Sequence, residues 1–164
     1  MPLEIPAESL LRWNDESARH WREFLLANPT IFDLPCDIGR ATTVSTLLQH
    51  IVAVELRYAQ RLASQPESSY DEVPCDSPEA LFATHDRALQ LVRSVLADPA
   101  YDWSQEIEFQ TISAGRIRAP RRAIFIHLLM HSIRHYAQLA TLARTHGFKP
   151  SWFADYLLVE AHPV

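Results

Sequence analysis

The chain has 164 residues, of which 48% are hydrophobic and 21% charged, and this composition predicts a folded globular protein rather than a disordered one. Its net charge of −5 and pI near 5.9 argue against a nucleic-acid-binding protein, which would present a basic surface. The sequence has no glycine-rich phosphate-binding motif, no run of about 18 apolar residues and no signal-peptide pattern, which disfavours the nucleotide-binding, membrane and secreted classes.

Four long helices are predicted from apolar residues that recur at helical spacing. The first covers residues 6–27 and the second residues 42–64. The third follows the N-cap residue Ser77 and continues to about residue 97. The fourth covers residues 120–145 and ends before Gly147, a residue typical of helix C-termini. This pattern predicts an all-α protein with a four-helix-bundle fold.

Two shorter segments complete the prediction. Residues 102–118 contain β-branched residues and a turn at Ala114 and Gly115, which predicts either a short hairpin or an extended connection between the third and fourth helices. A short C-terminal helix is predicted over residues 151–159. The length of 164 residues fits a single domain, which we expect over residues 1–164. Only two cysteines occur, and they form no CxxC pair, which favours a reducing, cytoplasmic compartment.

The fourth helix carries two histidines on the face that is predicted to be apolar. Polar residues in a core stripe often mark a functional site. His131 and His135 are four residues apart, so both imidazoles lie on one helix face and can converge on one metal ion. The predicted stripe consists of Ile124, Leu128, His131, His135, Gln138 and Leu142.

A third ligand is predicted on the second helix, where His50 lies among apolar residues. Three histidines that leave one coordination position open are typical of catalytic metal sites, and the open position would hold water or an anionic atom such as a thiolate. The competing interpretation is structural, because a single buried histidine is more often a hydrogen-bonded core residue than a ligand. The i, i+4 pair is what favours metal binding.

Two residues near the pair of His131 and His135 can be interpreted in more than one way. His127 also lies four residues from His131, but its direction departs from the stripe, so we predict that it lies at the rim of the site or supports a ligand from outside. Gln138 is one turn beyond His135, and it either lines the pocket, supports a ligand by a hydrogen bond, or simply packs.

Other catalytic motifs are weak or absent. His85 and Asp86 resemble part of the HD phosphohydrolase signature, but that scheme leaves the pair on the fourth helix unexplained. The sequence has no HExxH motif and no Glu-x-x-His motif of di-iron bundles. Glu55 is the acidic residue nearest to His50 in the sequence, but it is predicted to point away from the histidine face.

The run HLLMHSIRHYAQL at residues 127–139 resembles the pattern of the DinB family, in which spaced histidines precede Arg-Gly-Gln. The segment LLQHI at residues 47–51 is similar to the first ligand helix of that family. Weaker likenesses lie in LRWN at residues 11–14 and in LARTHG at residues 142–147. The sequence departs from the family at residues 136–137, where Tyr-Ala replaces the usual Arg-Gly.

This resemblance implies a bundle of the DinB/YfiT type that forms homodimers. It implies one divalent metal ion, often zinc or nickel, with ligands at His50, His131 and His135. Some relatives use small thiols such as mycothiol or bacillithiol in transfer or isomerisation. We therefore expect a metal-dependent thiol transferase, with no nucleic-acid or membrane partner. The alternatives are a non-catalytic, metal-stabilised or stress-associated bundle and a metal-dependent hydrolase with Glu55 as its nearest acidic residue.

Overall fold

The computed structural model describes residues 5–111, 114–152 and 154–162. Four long helices lie within two residues of the predicted bounds, which confirms the predicted bundle. They are α1 (Ala7–Ala27), α2 (Val44–Leu62), α3 (Pro78–Leu96) and α4 (Arg121–Thr145).

Side-chain caps fix where α2 and α3 begin. The Thr43 side chain accepts a hydrogen bond from the Thr46 backbone N–H, and the Thr46 hydroxyl accepts one from the Thr43 backbone N–H. The Ser77 hydroxyl accepts from the backbone N–H of Ala80, as the N-cap prediction requires. Each cap satisfies backbone donors that have no partner inside the helix, and such a cap typically contributes about 1 kcal/mol.

The end of α4 is a Schellman motif, in which the chain reverses through a left-handed residue. Gly147 has a φ of +85°, a conformation that costs glycine little. Its N–H donates to the Arg144 carbonyl at 3.1 Å, and the Phe148 N–H donates to the Ala143 carbonyl at 3.0 Å. The motif satisfies carbonyls at the end of α4 and directs the C-terminal segment back toward α1.

The segment between α3 and α4 is a β-hairpin, which decides between the two predicted alternatives. Strands β1 (Glu106–Thr111) and β2 (Gly115–Pro120) pair antiparallel, with Thr111 opposite Gly115. Ile107 and Phe109 alternate with exposed residues and pack against the core. Residues 112–113, which belong to the predicted hairpin segment, lie outside the described residues.

The packing of the four long helices places α1 and α2 at opposite corners, because each of them packs against both α3 and α4. Their apolar faces form one buried cluster with side chains from all four helices. Its largest fully buried members include Leu11, Trp21, Leu25, Leu47, Leu48, Ile51, Leu81, Phe82, Leu89 and Ile124. Since α2 and α4 are neighbours, residues at the middle of these two helices can meet inside the bundle.

The predicted C-terminal helix is present but shorter than expected: α5 covers Leu157–Glu160. Before it, the Trp13 indole N–H donates to the Ala154 carbonyl at 2.7 Å, which attaches this segment to α1. Residue 153, within the predicted helix, lies outside the described residues. Among the helices of the described part of the chain, none is both long and apolar enough to span a membrane.

Candidate metal centre

Three histidine rings meet between α2 and α4, near the middle of both helices. The ring centroids of His50 and His131 are 4.9 Å apart, those of His50 and His135 are 5.2 Å apart, and those of His131 and His135 are 4.5 Å apart. His131 and His135 are buried, and His50 is partly exposed. The structure therefore brings together the three residues that the sequence singled out.

The ring nitrogens of this cluster have a spacing that suits one metal ion. One nitrogen from each ring lies within 4.8 Å of the others. The Nε2 atoms of His50 and His131 are 3.1 Å apart. In a tetrahedral site with zinc–nitrogen bonds of about 2.0–2.1 Å, neighbouring ligand nitrogens lie about 3.3 Å apart. Small adjustments of the side chains would give that geometry.

The hydrogen bond between His135 and Gln138 orients the third ring. His135 Nδ1 lies 2.7 Å from the Gln138 side-chain oxygen Oε1. An amide oxygen only accepts, so Nδ1 donates its proton and Nε2 keeps a lone pair. Metal-binding histidines usually donate their second N–H to such an acceptor, which fixes the tautomer. Gln138 is exposed, however, and the buried stripe continues through Leu139 and Ala143 instead of Gln138 and Leu142.

The inner ring, His131, has a partner on one side only. Its Nδ1 atom is buried and accepts or donates no hydrogen bond among the described residues. Its Nε2 atom faces Nε2 of His50 at 3.1 Å. Within the described ranges, the only polar contact of this buried ring is a nitrogen of another imidazole. Two neutral rings that face each other in this way can both donate a lone pair to one metal ion. Zinc and nickel are bound well by imidazole nitrogens.

The pKa values of the cluster favour neutral rings with free lone pairs. Burial, followed by the positive charges of His135, His50, Arg134 and His127 in that order, lowers the pKa of His131 to about 2. Burial is also the main reason why the pKa of His50 falls to about 4. For His135, burial lowers the pKa, although the bond to Gln138 opposes that effect. Metal binding needs neutral imidazole, so these rings need not release protons at pH 7.

Aromatic and basic side chains surround the cluster. Tyr70 stacks on His50 with centroids 6.1 Å apart. His127 is exposed and lies against Tyr58, with its centroid 5.6 Å from that of His131. His127 therefore lies beside the cluster, next to His131. No sequence pattern pointed to Tyr70, because this residue reaches the site from the connection between α2 and α3.

A second buried polar cluster lies at the centre of the bundle, around Glu55 of α2. This carboxylate is fully buried and accepts three hydrogen bonds, from Asn14 Nδ2 at 2.9 Å, His85 Nδ1 at 2.7 Å and Ser132 Oγ at 2.6 Å. The donors belong to α1, α3 and α4, so one side chain joins all four helices. Because Ser132 follows His131, the same contact holds α4 in place beside the histidine site.

The partners of His85 show that it belongs to this second cluster and not to an HD-type site. Its Nε2 atom lies 3.5 Å from an Asp15 carboxylate oxygen, and Asp86 instead pairs with Arg22. Burial alone would lower the pKa of His85, but Glu55 and Asp15 outweigh it and raise the pKa to about 9. Burial likewise opposes ionisation of Glu55, yet His85 and the bound donors keep its pKa lowered. Glu55 therefore serves His85 and, as predicted, does not face the three histidines.

Two surface clefts lie away from the histidines. One, of about 510 Å³, is lined by Val73, Thr84 and Arg87 among others. The other, of about 240 Å³, borders Asp15 and His85. Neither of these two clefts is lined by a residue of the three-histidine cluster.

A bundle of four main helices with three converging histidines between α2 and α4 defines a helical protein with a candidate three-histidine metal centre. The chain belongs to the DinB family, whose model matches residues 4–162. That match confirms the resemblance seen in the sequence over nearly the whole chain. No protein of curated function matches this chain in sequence.

Proposed function

We propose that this DinB-family protein binds one divalent metal ion, zinc or nickel, through His50, His131 and His135, and that a small thiol takes the open coordination position. The observation that carries the proposal is the convergence of three rings whose lowered pKa values keep them neutral. None of the groups that shift these pKa values, among the described residues, is a carboxylate. The donor set is therefore uncharged, and the ion would keep its full positive charge.

Such an ion, when bound, lowers the pKa of a coordinated thiol and holds the thiolate. The residues of the chain supply the remaining functions. Gln138 keeps the Nδ1 proton on His135, so Nε2 points toward the other two rings. The burial of His131 and His135 limits competition from water on the inner side. A thiolate held there would form a bond to an electrophilic carbon of a second substrate, whose leaving group departs with its electron pair, which is S-transfer chemistry.

A hydrolase is less well supported than a thiol-dependent enzyme. Hydrolysis at a metal-bound water commonly uses a carboxylate as general base. Glu55 is the acidic residue nearest to His50 in sequence, but its two oxygens are occupied by Asn14, Ser132 and His85 in the bundle centre. A thiol needs no such base once coordination has lowered its pKa.

A non-catalytic, metal-stabilised bundle is the second candidate. It is favoured by one observation, namely that both surface clefts lie away from the histidines. In that case the ion would join α2 to α4 and stabilise the fold without binding a substrate. The two candidates share the metal site and differ only in whether a thiol binds to it.

Elemental analysis tests the metal site. Purified protein, stripped with a chelator and reloaded with zinc or nickel, is expected to hold one ion per chain. His131→Ala is expected to hold no metal ion after the same stripping and reloading. His146→Ala is the matched control, because His146 is exposed at the end of α4 and lies outside the cluster. Equal metal content in the wild type and in His131→Ala would overturn the proposal.

Thermal unfolding with a panel of thiols separates the two candidates. The thiol-dependent enzyme is expected to show a rise in Tm with at least one small thiol, and this rise should vanish when the metal is removed. A metal-stabilised bundle would respond to the metal and to no thiol. This comparison requires no knowledge of the natural thiol.

The remaining expectations concern partners. We propose a homodimer, as the family resemblance implies, and neither a nucleic-acid nor a membrane partner. The exposed apolar side chains of Ile126 and Met130 lie four residues apart on α4 and offer a surface for a second copy. Light scattering of the metal-loaded protein is expected to give twice the chain mass, and Met130→Glu is expected to reduce it. A monomeric wild type would overturn this proposal.

A further inference from the structure

Arg134 has an unusual position beside the three-histidine cluster. It lies on α4 between His131 and His135, and its side chain is exposed. Its Nη2 atom is 3.3 Å from Nε2 of His135, the nitrogen that is left with a lone pair. A guanidinium can only donate, so it points an N–H at that lone pair. If Nε2 instead binds an ion, this N–H of Arg134 is free to donate to a ligand at the same opening.

The structure gives Arg134 no acidic partner. Within residues 5–111, 114–152 and 154–162, no carboxylate lies within ion-pair distance of it. Arg57, which lies against the Tyr70 ring, behaves differently. It donates to Glu67 at 3.0 Å and lies over the Tyr70 ring, 5.4 Å from its centroid. In the part of the chain that the structure describes, Arg134 is thus a cation beside the histidines that has no carboxylate partner.

The charge around the open coordination position is positive. Three neutral imidazoles leave a divalent ion with its full charge, and Arg134 adds one more. The positive charge of Arg134 also acts on His50, His131, His135 and His127, in each case disfavouring protonation of the ring. One thiolate neutralises only part of this charge. A ligand with a second negative group would neutralise more of it and would also give the guanidinium a planar acceptor.

We propose that Arg134 is a specificity-determining residue that binds a carboxylate or similar anionic group of the ligand, so the thiol used by this protein is an anionic thiol. This inference rests on the proposed function and narrows its substrate class. The sulfur would take the open position, and the anionic group, a few bonds away, would accept hydrogen bonds from Arg134. A neutral thiol would make only the first contact.

The test uses the protein loaded with cobalt(II), because a thiolate bound to cobalt gives a charge-transfer absorption band. Titrations compare 3-mercaptopropionate and 2-mercaptoethanesulfonate with uncharged 2-mercaptoethanol. The two anionic probes distinguish a carboxylate preference from a general preference for anions. The wild type is expected to bind at least one anionic thiol about tenfold more tightly than 2-mercaptoethanol, the scale of one charged hydrogen-bonded contact.

Substitution of Arg134 is expected to remove the preference. In Arg134→Gln the ratio of the affinity for the anionic thiol to that for 2-mercaptoethanol should fall to about one, because the anionic thiol loses more affinity than 2-mercaptoethanol does. Comparing ratios between two proteins cancels the difference in thiol acidity. Arg134→Lys keeps the positive charge but lacks the planar guanidinium group, so it should retain an intermediate preference for the anionic thiol. Arg144→Gln, an exposed arginine near the end of α4, removes the same charge far from the cluster and should behave as the wild type.

The outcomes separate this inference from the function on which it rests. If cobalt binds and a thiol gives the band, but Arg134→Gln has the same ratio as the wild type, the inference is wrong and the metal–thiol function stands. If the wild type binds no cobalt, or no thiol gives the band, the proposed function itself fails. If both Arg134 variants lose cobalt, Arg134 maintains the site instead of selecting the ligand, and the inference is again wrong.

Discussion

His131 and His85 are both buried in the bundle, but their surroundings drive their pKa values in opposite directions. The pKa of His131 falls to about 2, whereas that of His85 rises to about 9. Burial lowers both, and the difference lies in the neighbours. His131 faces other histidines and Arg134, while His85 lies between the carboxylates of Glu55 and Asp15. Burial of a histidine therefore does not indicate its function; the charge of its neighbours does.

The comparison separates a structural cluster from a ligand site. A histidine between carboxylates holds a proton and takes part in a charge network that joins helices. A group of histidines without a carboxylate keeps lone pairs that can accept a hydrogen bond or bind a metal ion. The four predictions that follow alter one region while the other serves as the reference.

Replacement of Glu55 by alanine is expected to have the largest effect on stability. It would leave His85 without its main counter-charge and would remove the acceptor of Asn14 and Ser132. Breaking a buried pair in this way costs about 3–5 kcal/mol. Urea unfolding measures the change, with Glu16→Ala on the exposed face of α1 as the control, expected within about 0.5 kcal/mol. A loss below about 1 kcal/mol for Glu55→Ala would contradict the structural role of this cluster.

Metal addition should stabilise the wild type and have no effect on His131→Ala. A ligand that binds only the folded state at one hundred times its Kd adds about 2.7 kcal/mol to the free energy of unfolding. Unfolding is measured with and without zinc, with His146→Ala as the control outside the cluster. If zinc stabilised His131→Ala as much as the wild type, the ion would bind elsewhere.

Gln138→Ala should weaken metal binding without abolishing it. The substitution removes the acceptor that fixes the His135 tautomer, and loss of such a supporting group typically reduces metal affinity about 10–100-fold. Competition with a coloured chelator measures the affinity. Gln90→Ala, at an exposed position on α3, should leave it unchanged. An unaltered affinity in Gln138→Ala would mean that Gln138 only covers the helix surface.

The two regions should respond differently to pH, with slopes of at most about 1.4 kcal/mol per pH unit for each titrating group. Because the pKa of His85 is raised to about 9, its contribution to stability is complete below about pH 6.5 and is lost as the pH rises through 9. Because the pKa of His50 is lowered to about 4, the unfolded chain binds its proton first and the metal-free protein loses stability as the pH falls from 6.5 toward 4.

Urea unfolding of metal-free protein between pH 4 and 9 measures both the acidic and the alkaline part of the curve of stability against pH. His85→Gln is expected to flatten the alkaline part of the curve. His50→Gln is expected to reduce the acidic slope but not to remove it, because the pKa values of His131 and His135 are lowered as well. The absolute stability of each variant does not matter for this test, because only the slope is compared. An alkaline slope that is identical in the wild type and in His85→Gln would show that His85 does not hold a proton in the folded protein.

Much of this structure could be predicted from the sequence because local signals determine it. The caps at Thr43 and Ser77 and the glycine at residue 147 are short-range features, and they set helix ends to within two residues. The histidine triad was also predictable, because His131 and His135 interrupt an apolar stripe and His50 does the same on α2. In a long, regular helix, the spacing of two residues in the sequence determines the directions in which their side chains point.

The remaining features depend on contacts between distant segments. The sequence did not indicate that Glu55 and His85, 30 residues apart, are paired in the core. It also did not show that Gln138 is exposed, because the buried stripe of α4 shifts to Leu139 as the helix continues. Tyr70 reaches His50 from an irregular connection, where spacing carries no information on direction. These contacts follow from how α2, α3 and α4 pack against each other.

X-ray absorption spectroscopy of the zinc-loaded protein tests the metal assignment most directly. We predict an inner shell that contains three imidazole nitrogens at about 2.0–2.1 Å, together with the outer-shell scattering typical of histidine rings. The spectrum of His131→Ala should lose this pattern. A shell made of sulfur from Cys36 or Cys75, or of carboxylate oxygens, would contradict the assignment, as would a protein that retains no zinc.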